Sequence, residues 1–169
     1  MATPFQLEIV TPERVLFSGA VDELSMRTDG GEIAFLARHE DFIGAVDITV
    51  AKLSVVETSA DTESSTRLVA FHGGFVHVDQ EHVTILAGIA ELGSEIDVER
   101  ARRALSAAEE RLVTEGPATR PVAEGAEAEG ESSDRLSGAM VALLAPESAE
   151  AAVARARVRL EAAGVASTN

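Results

Sequence analysis

Two arginines one helical turn apart, Arg155 and Arg159, give the clearest chemical signal in the sequence. At i, i+4 spacing both guanidinium groups share one helix face, and their planar forks of donors suit phosphate or carboxylate oxygens. Arg157 stands between them. The segment therefore also reads as a basic helix end fit for charge-steered contact with an acidic surface. The plain alternative is a solvated face, because exposed charges of this kind contribute little. Asp97 precedes a helical pattern and suits an N-cap, accepting backbone N–H bonds and complementing the helix dipole. His72, His77 and His82 recur every five residues in strand-like sequence, so successive rings point to opposite faces. That is poor chelating geometry, and with no cysteine in the chain no metal site is expected. No serine sits in a nucleophile elbow and no Gly-rich phosphate loop exists. The chemistry on offer is binding, and no enzyme activity is expected.

Two kinds of element must position these groups. From Phe5 to about Ala90 the chain runs in short stretches of Val, Ile, Leu and Phe cut by turn residues. Phe5, Leu7 and Ile9 alternate with Gln6, Glu8 and Val10. Strands are also predicted at Val15–Phe17, Val21–Met26, Glu32–Leu36, Ile48–Val56, Arg67–Phe71, Phe75–Val78 and His82–Leu86, with an irregular stretch through His39. Thr28-Asp29-Gly30-Gly31 is a hairpin signal, Ser59–Ser65 reads as a loop tip, and Gly73-Gly74 suggests a bend within a strand. Short strands at this spacing predict a β-sandwich or flattened barrel over residues 1–92.

Near Glu91 the period changes. Val98, Ala101, Leu105, Ala108 and Leu112 form one helical stripe, rich in small residues that permit a close helix partner. Ser94-x-x-Asp97 is a second candidate start for that helix. Glu115–Asp134 holds six acids, one arginine and almost no large apolar residue, the composition of an acidic flexible linker. Helical spacing returns at Leu136–Leu144 and stops at Pro146. Ser148 can cap a last helix with Ala149, Ala152, Val153, Ala156, Leu160 and Ala163 on its apolar side. Residues 93–169 are thus a helical arm, a hairpin too short and Ala-rich to be secure alone, so it should dock on something.

Composition narrows the function. At 46% hydrophobic, 169 residues can bury a real core. A net charge of -15 excludes a general nucleic-acid binder and broad adhesion to anionic lipid. The acid excess sits mostly in residues 1–92, with 15 acids against 5 bases, compared with 14 against 9 beyond. No run approaches the ~20 apolar residues of a spanning helix, and the first residues carry no secretory pattern, so membrane association is expected only through a partner.

Several strings together resemble the bacterial ATP synthase epsilon subunit family. They are Val10-Thr11-Pro12-Glu13, Leu16-Phe17-Ser18-Gly19, Gly31-Glu32-Ile33 leading to His39, Gly73-Gly74-Phe75-Val76-x-Val78, Val83-Thr84-Ile85-Leu86-Ala87, Ala90-Glu91 and Ile96-Asp97-x-x-Arg100-Ala101. The resemblance implies a ten-stranded β-sandwich followed by antiparallel helices. It further implies a non-catalytic place at the foot of the central stalk of a rotary, proton-translocating ATP synthase. There the sandwich meets the gamma subunit and the polar loops of the membrane rotor ring, peripheral to the cytoplasmic face of the bacterial cell membrane. The helices would lie against the sandwich, or extend along gamma toward the alpha/beta catalytic hexamer and block hydrolysis. By the same resemblance Glu32 and His39 fall at the interface with the ring and gamma. Glu91, Asp97, Arg100 and Ala101, with Arg155 and Arg159, match a regulatory ATP site that would bind without hydrolysing.

The chain departs from the family pattern in places. Ala37-Arg38-His39-Glu40-Asp41 stands where Pro-Gly-His and Ala-Pro are usual, His77 replaces a common acid, and the acidic linker is long. Two rivals come from other classes. A free-standing ATP-sensing protein would use the same acidic and arginine residues. A sugar-binding β-sandwich would need exposed Trp or Tyr for stacking, and the chain has neither.

Overall fold

The computed structural model describes residues 3–56, 65–115 and 148–165. Among the described residues seven strands precede the helices: β1 (Phe5–Val10), β2 (Val15–Thr28), β3 (Gly31–Phe35), β4 (Phe42–Val55), β5 (Ser65–Val78), β6 (His82–Ala87) and β7 (Ala90–Leu92). Their order is β1-β6-β5-β4-β2-β3, with β7 on β5, and β1 also pairs with β2, so the sheet closes on itself. β1 and β6 run parallel and every other pair is antiparallel.

Strands β2, β4 and β5 have 14 residues each and bend from one layer of a flattened barrel into the other. One layer holds β1, β6 and the adjoining halves of those three. The other holds β3, β7 and the remaining halves. The bends are visible as changes of parity. On β5, Val69 and Phe71 point into the core, then Val76 and Val78 do. On β4, Val46 points inward, then Ala51, Leu53 and Val55. A period of two permits this only where the ladder is interrupted, and the β4–β5 register skips Asp47 and Gly73. Gly73 holds φ at 97°, a region glycine enters without penalty. A Cβ on Gly74 would lie 2.5 Å from the Leu86 carbonyl oxygen, so the bend also brings two backbones together. The core between the layers is built from Leu7, Ile9, Val21, Leu24, Phe35, Leu53, Phe71 and Ile85, all essentially without solvent contact. Each such side chain contributes roughly 1.5–3 kcal/mol by leaving water.

The strands are longer than the sequence pattern indicates. β2 runs without a break through Ser18-Gly19, β4 begins at Phe42 and not at the expected Ile48, and β7 is additional. Most of the Ser59–Ser65 tip lies outside the described residues. So do the linker beyond Glu115 and the helical piece at Leu136–Leu144.

The β5–β6 turn is tied by Asp79, whose carboxylate accepts from the backbone N–H of Glu81 at 2.9 Å and of His82 at 2.7 Å. These bonds, chiefly, and then the His82 imidazole hold its pKa below the ordinary 3.8. A depressed folded pKa stabilises above the unfolded value and is lost as pH falls through the folded one. In urea titrations Asp79→Ala should therefore be less stable than the native chain at neutral pH. The gap should close below about pH 4, and a gap independent of pH would contradict this account.

After Leu92 a 3-10 turn, Gly93–Glu95, leads to α1 (Val98–Glu115), and α2 spans Ala149–Ala162. Asp97 caps α1, its carboxylate accepting from Arg100 N–H at 3.0 Å, and Ser148 caps α2 through Ala151 N–H at 3.2 Å. The start thus falls at Asp97, with Ser94 inside the 3-10 turn. The stripe Val98, Ala101, Leu105, Ala108 and Leu112 is the least exposed line of α1. α2 is apolar on two sides. Ala149, Val153, Ala156 and Leu160 form one stripe, while Val158 and Ala162 pack on Ile48, Val50, Leu68, Ala70 and Ile96. The helix therefore lies between α1 and the outer face of the second layer, and its first stripe is the one predicted from spacing.

Candidate functional site

A cleft of about 320 Å³ opens where β7, the 3-10 turn, the start of α1 and the end of α2 meet. Five of the expected residues line it: Glu91, Asp97, Arg100, Ala101 and Arg159. β7 brings Glu91 because its pairing on β5 sets Glu91 opposite Ala70, on the face that α2 covers. Arg159 reaches it from the last turn of α2 and forks onto that carboxylate. Its Nε donates to Oε2 at 2.7 Å and its Nη2 to Oε1 at 3.2 Å. A bidentate pair of this kind fixes geometry as well as charge. It is half-buried and ties the arm to the strand domain across 68 positions of sequence. Arg157 makes a pair within the arm, joining α2 to Glu109 of α1 at 3.3 Å.

Asp97 serves as the cap of α1, as the plain reading of that residue holds. Arg155 does not line the cleft. α2 runs antiparallel to α1, so only its last turns reach the start of α1, and Arg155 lies one turn too early. Shared helix face is thus not shared pocket. Two groups that sequence spacing missed do line the cleft: Arg14, from the turn between β1 and β2, and Glu95, from the 3-10 turn. They form an ion pair with each other. With 81 positions between them, no local pattern signals the contact. The lining carries Arg14, Arg100 and Arg159 against Glu91, Glu95 and Asp97, so its formal charge is balanced.

Glu32 and His39 occupy different surroundings. Glu32 is exposed on β3, in register with Arg27, and borders an open groove beside Val158 and Glu161 of α2. The hairpin turn before it closes with the Thr28 hydroxyl donating to the Gly31 carbonyl at 3.2 Å. His39 is held edge-on to Phe35 at 5.0 Å and to Phe42 at 6.4 Å, and its Nδ1 lies 2.8 Å from the Glu40 carbonyl oxygen. Arg38 adopts φ 62°, left-handed backbone that costs a non-glycine residue about 1–2 kcal/mol. That is the position at which the family pattern has glycine, the residue that adopts such backbone without penalty.

A larger feature escaped the sequence altogether. On the first layer, cross-strand pairing sets Ala45 beside Phe75, Phe75 beside Leu86, Leu86 beside Val10 and Val10 beside Val15. Phe75 is 63% exposed, Leu86 55%, and the diagonal neighbour Ile43 74%. This apolar row crosses five strand segments on the outer face. The corresponding face of the second layer is covered by α2. Contiguous exposed apolar surface of this sort marks interaction sites. The alternation Phe75-Val76-His77-Val78 is apolar on both sides of the strand, so period alone does not say which side is out.

Comparison with known proteins adds a separate line. Residues 4–93 match the family described as ATP synthase, Delta/Epsilon chain, beta-sandwich domain. The chain is similar to the ATP synthase epsilon chain of Carboxydothermus hydrogenoformans, 42% identical over 117 residues, covering 69% of this chain and 82% of that one. It is also similar to the ATP synthase epsilon chain of Thermobifida fusca, 44% identical over 104 residues, covering 61% and 73%. In fold it resembles a chain of the Euglena gracilis mitochondrial ATP synthase structure, with a TM-score of 0.61 at 21% identity, covering 95% of this chain and 81% of that chain.

Proposed function

This chain belongs to the ATP synthase delta/epsilon family, and from that premise we propose that it joins gamma to the membrane rotor ring in the central stalk and performs no chemical step itself. The observation that supports this most directly is the asymmetry of the two outer faces. α2 covers one, while the other carries the exposed apolar row that includes Phe75 and Leu86. In this reading gamma covers that row. Glu32 and His39 meet the ring loops, where an exposed acid sets electrostatic register more than affinity. No helix among the described residues is long and apolar enough to cross a membrane. Attachment to the cytoplasmic face of the bacterial membrane therefore runs through these partners.

The helical arm gates hydrolysis in the same proposal. Docked, as described above, it leaves the rotor free; extended along gamma it reaches the alpha/beta hexamer and blocks it. The two arrangements need differ by only a few kcal/mol. The cleft at Glu91, Asp97, Arg100 and Arg159 is a regulatory nucleotide site whose ATP favours the docked arm. Arg155 does not line the cleft in the docked arrangement. The test compares ATPase activity of the catalytic complex reconstituted with the full chain and with a chain ending at Thr114. Truncation should relieve inhibition several-fold, and equal rates would remove the gating role.

A further inference from the structure

We propose that Arg14, on the turn between β1 and β2, is an anion-binding residue of the cleft, a third guanidinium that the strand domain itself supplies for the phosphates of a nucleotide. The proposal rests on the nucleotide reading of the cleft and extends it. Arg100 and Arg159 belong to the helical arm, so on their own they would leave an anion bound by the arm alone. Arg14 stands on the strand side of the same cleft. An anion touching both sides would bridge arm and barrel, which is what a ligand favouring the docked arm has to do.

The geometry prepares Arg14 for this role. Its backbone is fixed by the buried Thr11, whose N–H and hydroxyl both donate to the Arg14 carbonyl at 2.9 Å, while Arg14 N–H donates to the Thr11 hydroxyl at 3.3 Å. Only the long side chain is left to move, so little entropy is lost when it changes partner. Its present partner is Glu95, and that pair is about half exposed on each side. Exposed pairs of this kind are weak, whereas a guanidinium fork on phosphate makes charge-assisted bonds. A polyphosphate can therefore take Arg14 from Glu95.

The proposal makes two predictions of opposite sign. Calorimetry on the full chain uses magnesium ATP and, separately, inorganic tripolyphosphate. Arg14→Ala should weaken both by about three- to tenfold. Glu95→Gln, which frees Arg14, should tighten both by about two- to threefold. In the double variant the gain from Glu95→Gln should largely disappear, because the residue it frees is gone. Thermal melts of each variant check that the fold is intact. Equal affinity of Arg14→Ala and the native chain overturns the proposal, as does a Glu95→Gln gain that survives undiminished in the double variant. Binding of tripolyphosphate but not ATP, still weakened by Arg14→Ala, supports Arg14 and defeats the nucleotide reading. Binding of neither probe defeats both.

Discussion

Replacing Gly93 with alanine is expected to free the end of α2 from the strand domain while leaving that domain folded. A Cβ at Gly93 would lie 2.0 Å from the Ala162 carbonyl oxygen and 3.2 Å from that of Leu68. Both are backbone atoms, so no flexible side chain can swing aside and the helix itself must withdraw. Its end is rigid. Ala163 N–H bonds to the Arg159 carbonyl, Gly164 N–H to Glu161 and Val165 N–H to Leu160, with Gly164 at φ 74° closing the turn. Withdrawal opens the packing of Val158 and Ala162 on Leu68 and Ala70 and pulls Arg159 from Glu91. Overpacking of this severity costs about 1–3 kcal/mol. A 14-residue helix has little stability of its own to absorb that. The undocked population should rise by about ten- to a hundredfold on that scale. Hydrogen exchange provides the measurement, with protection lost in α2 and kept in β1, β5 and β6. Unchanged protection in α2 would mean that the contact at Gly93 does not hold the arm. In the catalytic complex the same change should raise inhibition of ATP hydrolysis if the extended arm is the inhibitor.

The parts of this architecture that were legible in the sequence are those governed by local rules. β1 alternates strictly because it stays in one layer, and Asp97 and Ser148 were readable as caps because capping spans three residues. β4 was half lost. Its first part contains Gly44, the parity of its inward side chains changes between Val46 and Ala51, and a strand that changes layer shows no continuous period. α2 showed one apolar stripe, yet it is buried on two, because it packs against a helix and a sheet together. The cleft divides along the same line. Asp97, Arg100 and Ala101 form a compact string, whereas Arg14 and Glu95 meet only through the closure of the barrel. Arg155 stays outside the cleft lining for the converse reason. Helical spacing gives a face, but which turn reaches a pocket depends on how far the antiparallel partner extends.

Phe75→Glu is expected to abolish stable capture of the chain by gamma while changing its own stability little. Phe75 is 63% exposed in the free chain, so its ring contributes modestly to the fold and a carboxylate there stays hydrated. The situation reverses once a partner covers the row. A carboxylate forced into an apolar interface without a paired cation loses its hydration, at a cost of several kcal/mol. Because Phe75 lies between Ala45 and Leu86, with apolar neighbours on both sides, a partner that covers the row covers the charge as well. A loss of about a hundredfold or more in affinity follows, since each ~1.4 kcal/mol is tenfold. Ile89→Glu is the control, for Ile89 is 48% exposed in the turn between β6 and β7, outside both the row and the arm, and adding charge there should leave gamma binding intact. Binding of immobilised gamma to the two variants, with thermal melts of each, separates docking from folding. If Phe75→Glu binds as the native chain does, gamma must dock elsewhere, because a buried charge cannot be silent within the row. Loss confined to Phe75→Glu would instead tie the coupling role to the sheet face that carries the exposed apolar row.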